Sequence, residues 1–171
     1  MVENKKKFLA EEDFFDEEEE DAQKDKFLTF RVGDDDYGIE IRHVVEIVSM
    51  QAITAVPDMP DYIKGVINLR GNIIPVMDIR RRFHMAERPY DERTCVIVVN
   101  IQELAVGLVV DSVDEVLTIP ETQISPPPKI AQGYMHRYIK GMGKVGEKVK
   151  ILLDMTTLLS EKECEAIRQE S

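Results

Sequence analysis

The stretch YIKGVINLRGNIIPVMD, residues 62–78, returns in altered form as YIKGMGKVGEKVKILLD, residues 138–154. Both copies open on the same tetrapeptide and close on the same aspartate, and the offset of 76 runs without a gap to Phe83 and Leu159. Toward the N-terminus an offset of 69 aligns Gly38 with Gly107, Val44 with Val113, Glu46 with Glu115 and Ile47 with Val116. The offsets differ by seven because the intervening loop has eleven residues in the first copy and eighteen in the second. Self-similarity at a fixed period marks a repeated supersecondary unit.

Each copy reads as five short strands. KFLTFRVGDDDYGIEI, residues 26–41, alternates apolar and polar positions around a turn at residues 33–36, the pattern of a half-buried hairpin. Its counterpart is TCVIVVNIQELAVGLVVD, residues 94–111. A third strand follows (VVEIVSM or VDEVLTI), then a loop, two strands meeting at a glycine turn, and a short helix. This predicts a mainly β fold, a small five-stranded barrel made twice, with subdomains at about residues 26–90 and 91–154. Apolar Met155, Leu158, Leu159, Cys164 and Ile167 have the spacing of a C-terminal helix at about residues 155–169, lying against a barrel. The whole folded part spans residues 26–170.

Proline placement agrees. Pro57, Pro60, Pro120 and Pro126 to Pro128 sit in inter-strand loops, where a missing N–H costs least, and the triple proline stiffens its loop. Pro75, inside the strand pattern IIPVM, predicts a sheet edge or a bulge.

A chain of 171 residues is long enough to bury a core in one domain or two small ones. No run approaches the roughly 18 apolar residues of a spanning helix, and the N-terminus lacks the apolar middle of a signal peptide, so the chain reads as cytoplasmic. Cys95 and Cys164 have neither metal-ligand spacing nor a disulfide context and read as buried thiols. Residues 1 to 25 hold eleven acids and four lysines, a net −7 of the chain's −11. Such a tail repels itself and has little to bury, which predicts disorder; Phe14 and Phe15 within it are a candidate docking motif, the favoured alternative being a merely solvated tail. The lack of a basic stripe on the remainder argues against nucleic acid or anionic lipid as the main partner.

The duplication supplies an internal control. Positions alike in both copies are expected to serve the scaffold: Tyr62, Ile63, Lys64 and Gly65 in packing and chain reversal, Asp78 and Asp154 as caps of the short helices, each worth typically ~1 kcal/mol. What differs is the middle, where Asn68, Leu69, Arg70 and Gly71 stand against Lys144, Val145, Gly146 and Glu147. A guanidinium at a turn can grip a carboxylate with two parallel bonds, and arginine is favoured at interfaces for that reason; the alternative is an ordinary surface arginine.

The runs YGIEIRHVVEIV, YIKGVINLRGNIIPVMDIRRRF and VGLVVDSVDEVLTI, with the closing YIKGMGKVGEKVKILLD, resemble chemotaxis coupling proteins of the CheW family from about Lys26 to Leu159. The most specific run is GVINLRGNIIPVMDI, with Ile79 where the family pattern has leucine. The resemblance implies a non-catalytic, cofactor-free adaptor of two SH3-like five-stranded barrels around a shared apolar seam, monomeric alone. Its implied partners are the cytoplasmic tip of transmembrane chemoreceptors and the regulatory domain of the histidine kinase CheA, joined in membrane arrays without insertion of the adaptor itself. By matching positions, Glu46 and Arg70 with Val44, Ile73, Val113 and Val116 are implied for receptor binding, and Ile39, Ile41 and Val45 for kinase binding. Core packing is the alternative for the valines and isoleucines, and mutual pairing for Glu46 and Arg70. The acidic extension and the proline-rich loop from Ser125 to Arg137 depart from the plainest family members. They leave open a coupling module of a non-motility receptor-kinase pathway.

A third reading is a nucleotide- or small-ligand-binding barrel. GMGKVG, residues 141–146, matches G-x-G-x-x-G, but EKVKILL after it alternates like a strand, whereas a dinucleotide fingerprint opens a helix. His43, His84 and His136 share no ligand spacing, and no serine or cysteine sits on a strand-to-helix elbow, so no catalytic or metal residues are assigned.

Overall fold

A computed structural model of the chain describes residues 23–128 and 134–170. The acidic tail expected at residues 1 to 25, with Phe14 and Phe15, lies outside the described residues except for its last three positions, as do residues 129–133 of the proline-rich loop.

The first copy forms β1 (Lys26–Val32), β2 (Asp35–Glu40), β3 (Val44–Ser49), β4 (Ile63–Leu69), β5 (Asn72–Asp78) and the helix α1 (Ile79–Arg82). The second forms β6 (Cys95–Ile101), β7 (Leu104–Val110), β8 (Ser112–Thr118), a two-residue β9 (Ile124–Ser125), β10 (Ile139–Val145), β11 (Lys148–Leu153) and α2 (Met155–Leu158), and α3 (Glu161–Glu170) follows. Both hairpin pairs and both short helices fall where the duplication predicts.

The strands then pair across the copies. One sheet has the order β8-β1-β2-β11-β10-β9 and the other β3-β6-β7-β5-β4, so each holds one copy's first hairpin among the other copy's remaining strands. Each sheet therefore draws strands from both sides of residue 90. The three-residue turn Ile41–His43 carries the chain from one sheet to the other, and Asp111 does so between β7 and β8. The registers obey the offsets found in the sequence. Val44 faces Val99 where Phe30 faces Val113; Val76 lies parallel to Gly107 where Leu152 lies parallel to Gly38. Even the bulges at Ile63/Gly65 and Ile139/Gly141 coincide.

Three apolar clusters result. Val48, Ile67, Leu69, Ile74, Val76, Val96, Val98 and Val109 come only from the five-stranded sheet and fill its curl. Phe27, Ile119 and Leu152, with Leu117, Ile124 and Val145, fill that of the six-stranded sheet. The largest cluster joins both sheets, helices included, and is the shared seam. Through it runs an aromatic chain, Phe30, Tyr37, Phe83 and Tyr138, with successive ring centroids 5.9, 5.6 and 5.7 Å apart, distances at which aromatic pairs attract. Burial pushes the Tyr37 hydroxyl up to about 12, with the nearby charge of Asp35 adding to the shift.

Three sequence expectations need correction. Pro75 is neither at an edge nor in a bulge: β5 lies inside its sheet, between β7 and β4. The six-stranded sheet pairs Ile151 with Tyr37, whereas the parallel ladder of β5 starts only at Val76. A residue without an N–H shifts the start of the ladder by one step instead of ending the strand. The C-terminal helix is two helices, because Asp154 caps α2 through the Thr156 N–H at 2.9 Å and Ser160 starts α3 afresh. There the Ser160 hydroxyl accepts from the Glu163 N–H at 3.2 Å while the Glu163 carboxylate accepts from the Ser160 N–H at 3.1 Å, a reciprocal capping box. Finally, YIKG opens β4 and β10 instead of reversing the chain. A Cβ on Gly65 would lie 2.2 Å from the Thr54 carbonyl oxygen, and one on Gly141 2.7 Å from Ile124. The repeated glycines admit the passing loop.

Candidate partner-binding site

The turn joining β4 to β5 places Arg70 at φ +52° and Gly71 at φ +88°, the paired left-handed conformations of a tight hairpin turn matched to the twist of its strands. The Gly71 N–H donates to Asn68 Oδ1 at 2.9 Å and braces it. The equivalent of Arg70 in the second copy is Gly146, at φ +61°. Glycine adopts this conformation without penalty, while another residue there costs roughly 1–2 kcal/mol. A bulky arginine therefore occupies a position where the scaffold is content with glycine.

Its guanidinium donates a hydrogen bond to Glu46 Oε1 on β3. The Glu46 side chain is 7% exposed and that of Arg70 63%. The pair spans from one terminal strand of the five-stranded sheet to the turn at the end of the other, and so closes the curled sheet into a barrel. Below it, Thr54 of the loop exchanges two backbone hydrogen bonds with Val66 of β4, both 2.9 Å. Ile73, three residues beyond Arg70, is 61% exposed. Arg70 and Ile73 thus present a fixed cation and an apolar side chain at one barrel end.

The other implied residues divide by burial. Val45 is exposed at the β3 bulge, and Val116 is exposed on β8, the terminal strand of the other sheet. Val44, Val113, Ile39 and Ile41 are buried in the seam, the last two completely. Ile39 and Ile41 present no surface, and Val44 and Val113 only 3% and 8% of theirs. Sequence reasoning passed over Val149, which is 48% exposed at the start of β11. The signal was available, since Val149 lies 76 residues after Ile73.

Two ionic hubs hold the site's frame. Arg80 of α1 grips Asp111 with both arms, Nε to Oδ1 at 3.0 Å and Nη2 to Oδ2 at 2.6 Å, while the Gly33 N–H donates to the same carboxylate at 2.8 Å. This ties α1 to the β1–β2 turn across the two sheets. Arg82 lies with its guanidinium carbon 4.0 Å from the Tyr62 ring centroid and 5.0 Å from that of Tyr138, between the tyrosines that open the two YIKG segments. It donates to the Leu158 carbonyl at 2.9 Å and to Glu163 at 2.6 Å, and the Tyr62 hydroxyl donates to Glu163 at 2.8 Å. Burial by itself would raise the Glu163 carboxyl, but the hydrogen bonds from Arg82, the Ser160 N–H and Tyr62 outweigh it and hold the group at about 2.

GMGKVG runs along β10 into the turn before β11, so a strand and not a helix N-terminus follows, with nothing there to meet a pyrophosphate. Among the described residues no cluster of His, Cys, Asp and Glu could hold a metal ion, and no helix is long and apolar enough to cross a membrane. Cys95 and Cys164 are buried and free, and burial pushes the Cys95 thiol up to about 11.

Comparison with known proteins agrees with this architecture. Residues 26–163 match the family described as CheW-like domain. The Chemotaxis protein CheW of Klebsiella aerogenes is 44% identical over 138 residues, covering 81% of this chain and 83% of that protein. The protein of the same name from Treponema pallidum is 30% identical over 146 residues, covering 83% and 86%. Among solved structures, the scaffolding protein TtCheW of Thermoanaerobacter tengcongensis superposes with a TM-score of 0.74 at 34% identity, covering 81% of this chain and 94% of that one. With two hairpin-exchanged barrels, and with this sequence match across nearly all of its folded part, the chain belongs to the CheW-like domain family of chemotaxis scaffold proteins.

Proposed function

We propose that this protein is a non-catalytic adaptor that couples the cytoplasmic tips of transmembrane chemoreceptors to the histidine kinase CheA and helps order them into arrays. The observation that carries the reading is Arg70. It stands in a left-handed turn position where the second copy has Gly146, is held by the buried carboxylate of Glu46, and lies beside exposed Ile73. A conformational cost accepted at a position where the other copy keeps glycine is expected where recognition needs the side chain.

On this reading Arg70 and Ile73 meet a receptor helix. Glu46 fixes the guanidinium, Val116 extends the apolar contact, and Val44 and Val113 support the surface from within the seam. For the kinase, the exposed Val45 on terminal strand β3 is the contact, and Ile39 and Ile41 act by shaping the core behind it. Residence in the cytoplasm, with recruitment to receptor arrays at the membrane, belongs to the same proposal.

The test is reconstitution. Purified protein is added to a CheA-type kinase with receptor cytoplasmic fragments in a soluble template, and kinase autophosphorylation is followed. The expected result is strong stimulation only when all three are present, with no phosphoryl transfer by this protein alone. Kinase activity unchanged by the protein at saturating concentration, or no binding to either partner, would overturn the proposal.

A further inference from the structure

Where the described chain begins, a cleft of about 670 Å³ opens between the start of β1 and the β9–β10 pair. Its walls carry four cations, Lys24, Lys26, Arg42 and Lys140, and three acids, Asp25, Glu40 and Glu121; its apolar part is Phe27 and Ile124. Glu40 is shared: Arg42 Nε lies 2.7 Å from one of its oxygens and Lys140 donates to the other. One carboxylate thus serves two cations, whose side chains remain 63% and 45% exposed. The cleft pairs an apolar base with an excess of positive charge at its rim.

The chain that precedes Gln23 has the complementary chemistry. Residues 11–21, EEDFFDEEEED, hold nine acids, two adjacent phenylalanines and no basic residue. Gln23 to Lys26 themselves line the cleft, so this segment is tethered at its mouth. Phe15 is eight residues from Gln23, a reach of at most roughly 26–29 Å when extended, which is ample for a fold-back. A short tether raises the effective concentration into the millimolar range, so that modest contacts suffice.

We propose that residues 11–21 dock intramolecularly in this cleft, with Phe14 and Phe15 against Ile124 and the flanking carboxylates on Arg42, Lys140 and Lys24. The acidic extension is then a built-in occupant of this face of the six-stranded barrel. Any partner using the face must displace it. This inference does not depend on the receptor and kinase assignments above.

The test uses the full chain. A photoreactive benzoylphenylalanine in place of Phe15 is expected to cross-link within one molecule to peptides containing Arg42, Ile124 or Lys140. The yield should be independent of protein concentration and fall severalfold when salt is raised from about 0.05 M to about 1 M, where the screening length shrinks to about 3 Å. In parallel, Phe14→Ala/Phe15→Ala, placed outside the described fold, is expected to shift backbone amide resonances of residues 24–27, 42, 124 and 140 and few others. Cross-links spread over both sheets or formed to a second copy, or amides of the cleft that do not respond to the double alanine variant, would overturn the proposal.

Discussion

The Arg70 guanidinium donates to the carboxylate of Glu46 from a backbone conformation of φ +52°, while the second copy has Gly146 at the same point and Glu115 in the place of Glu46. The scaffold thus forms the turn twice and adds the ion pair once. This asymmetry separates what both barrels need from what the first copy alone adds.

Arg70→Gly, with and without Glu46→Gln, should consequently divide stability from function. The glycine relieves roughly 1–2 kcal/mol of backbone cost, but leaves the buried Glu46 carboxylate unpaired, a loss of about 3–5 kcal/mol. A lower urea midpoint is expected, and Glu46→Gln/Arg70→Gly, which removes both the charge and the backbone cost, should recover most of the loss. Both variants are expected to bind receptor fragment at least tenfold more weakly by titration calorimetry. Parental affinity in either one would reduce Arg70 to a turn residue.

Arg82 is the corresponding test of the frame. Its side chain is 5% exposed and is enclosed by the two repeated tyrosines, Glu163 and the Leu158 carbonyl. Arg82→Met strands Glu163 and the carbonyl, and should cost about 3–5 kcal/mol in chemical denaturation. Arg82→Lys should recover little, because an ammonium lacks the planar fork that bonds both acceptors while lying flat against the rings.

Acid should loosen the C-terminal helix attachment. Glu163 has its carboxyl lowered from 4.5 to about 2 in the folded chain. A depressed carboxyl contributes stability that is fully present above about pH 4.5 and lost as the pH falls toward 2. With allowance for partial exposure the loss is roughly 2–3 kcal/mol. Asp111 acts in the same direction: burial raises its carboxyl, but Arg80 and the Gly33 N–H prevail and lower it. Glu163→Gln should flatten the melting temperature against pH between about pH 5 and pH 2 relative to the parent; an unchanged slope would contradict the assignment.

Glycines of the two kinds should also behave differently. At Gly65 a Cβ meets backbone, 2.2 Å from the Thr54 carbonyl oxygen, and the loop must move. At Gly146 nothing lies within 4 Å, and only the φ of +61° opposes a side chain. Gly146→Ala is expected to cost about 1–2 kcal/mol. Gly65→Ala should cost clearly more, together with faster amide exchange at Thr54 and Val66.

Much of the fold was legible because it was written twice. Each copy's strands, turns and caps are local, and Asp78 and Asp154 cap their helices at 2.9 Å in both. Which strand residues are exposed was legible only in part. Alternation distinguishes one face of a strand from the other when one face is wet, yet β6 is buried at six of its seven positions, and such a strand has lost the pattern. Ile39 and Ile41, assigned to a partner by resemblance, lie wholly inside the seam, and Val149 is exposed on the surface.

The sequence by itself determined the duplication, the order and extent of the strands, the helix caps and the singular arginine, all of which follow from steric and hydrogen-bonding preferences acting over a few residues. Only the tertiary structure decided that the copies exchange their first hairpins, that Arg70 meets Glu46, and that Arg82 is clasped by both copies' tyrosines. These are contacts between segments distant in the chain. They are selected by how completely the apolar faces of both copies are covered in one shared seam, a quantity that no short window of residues contains.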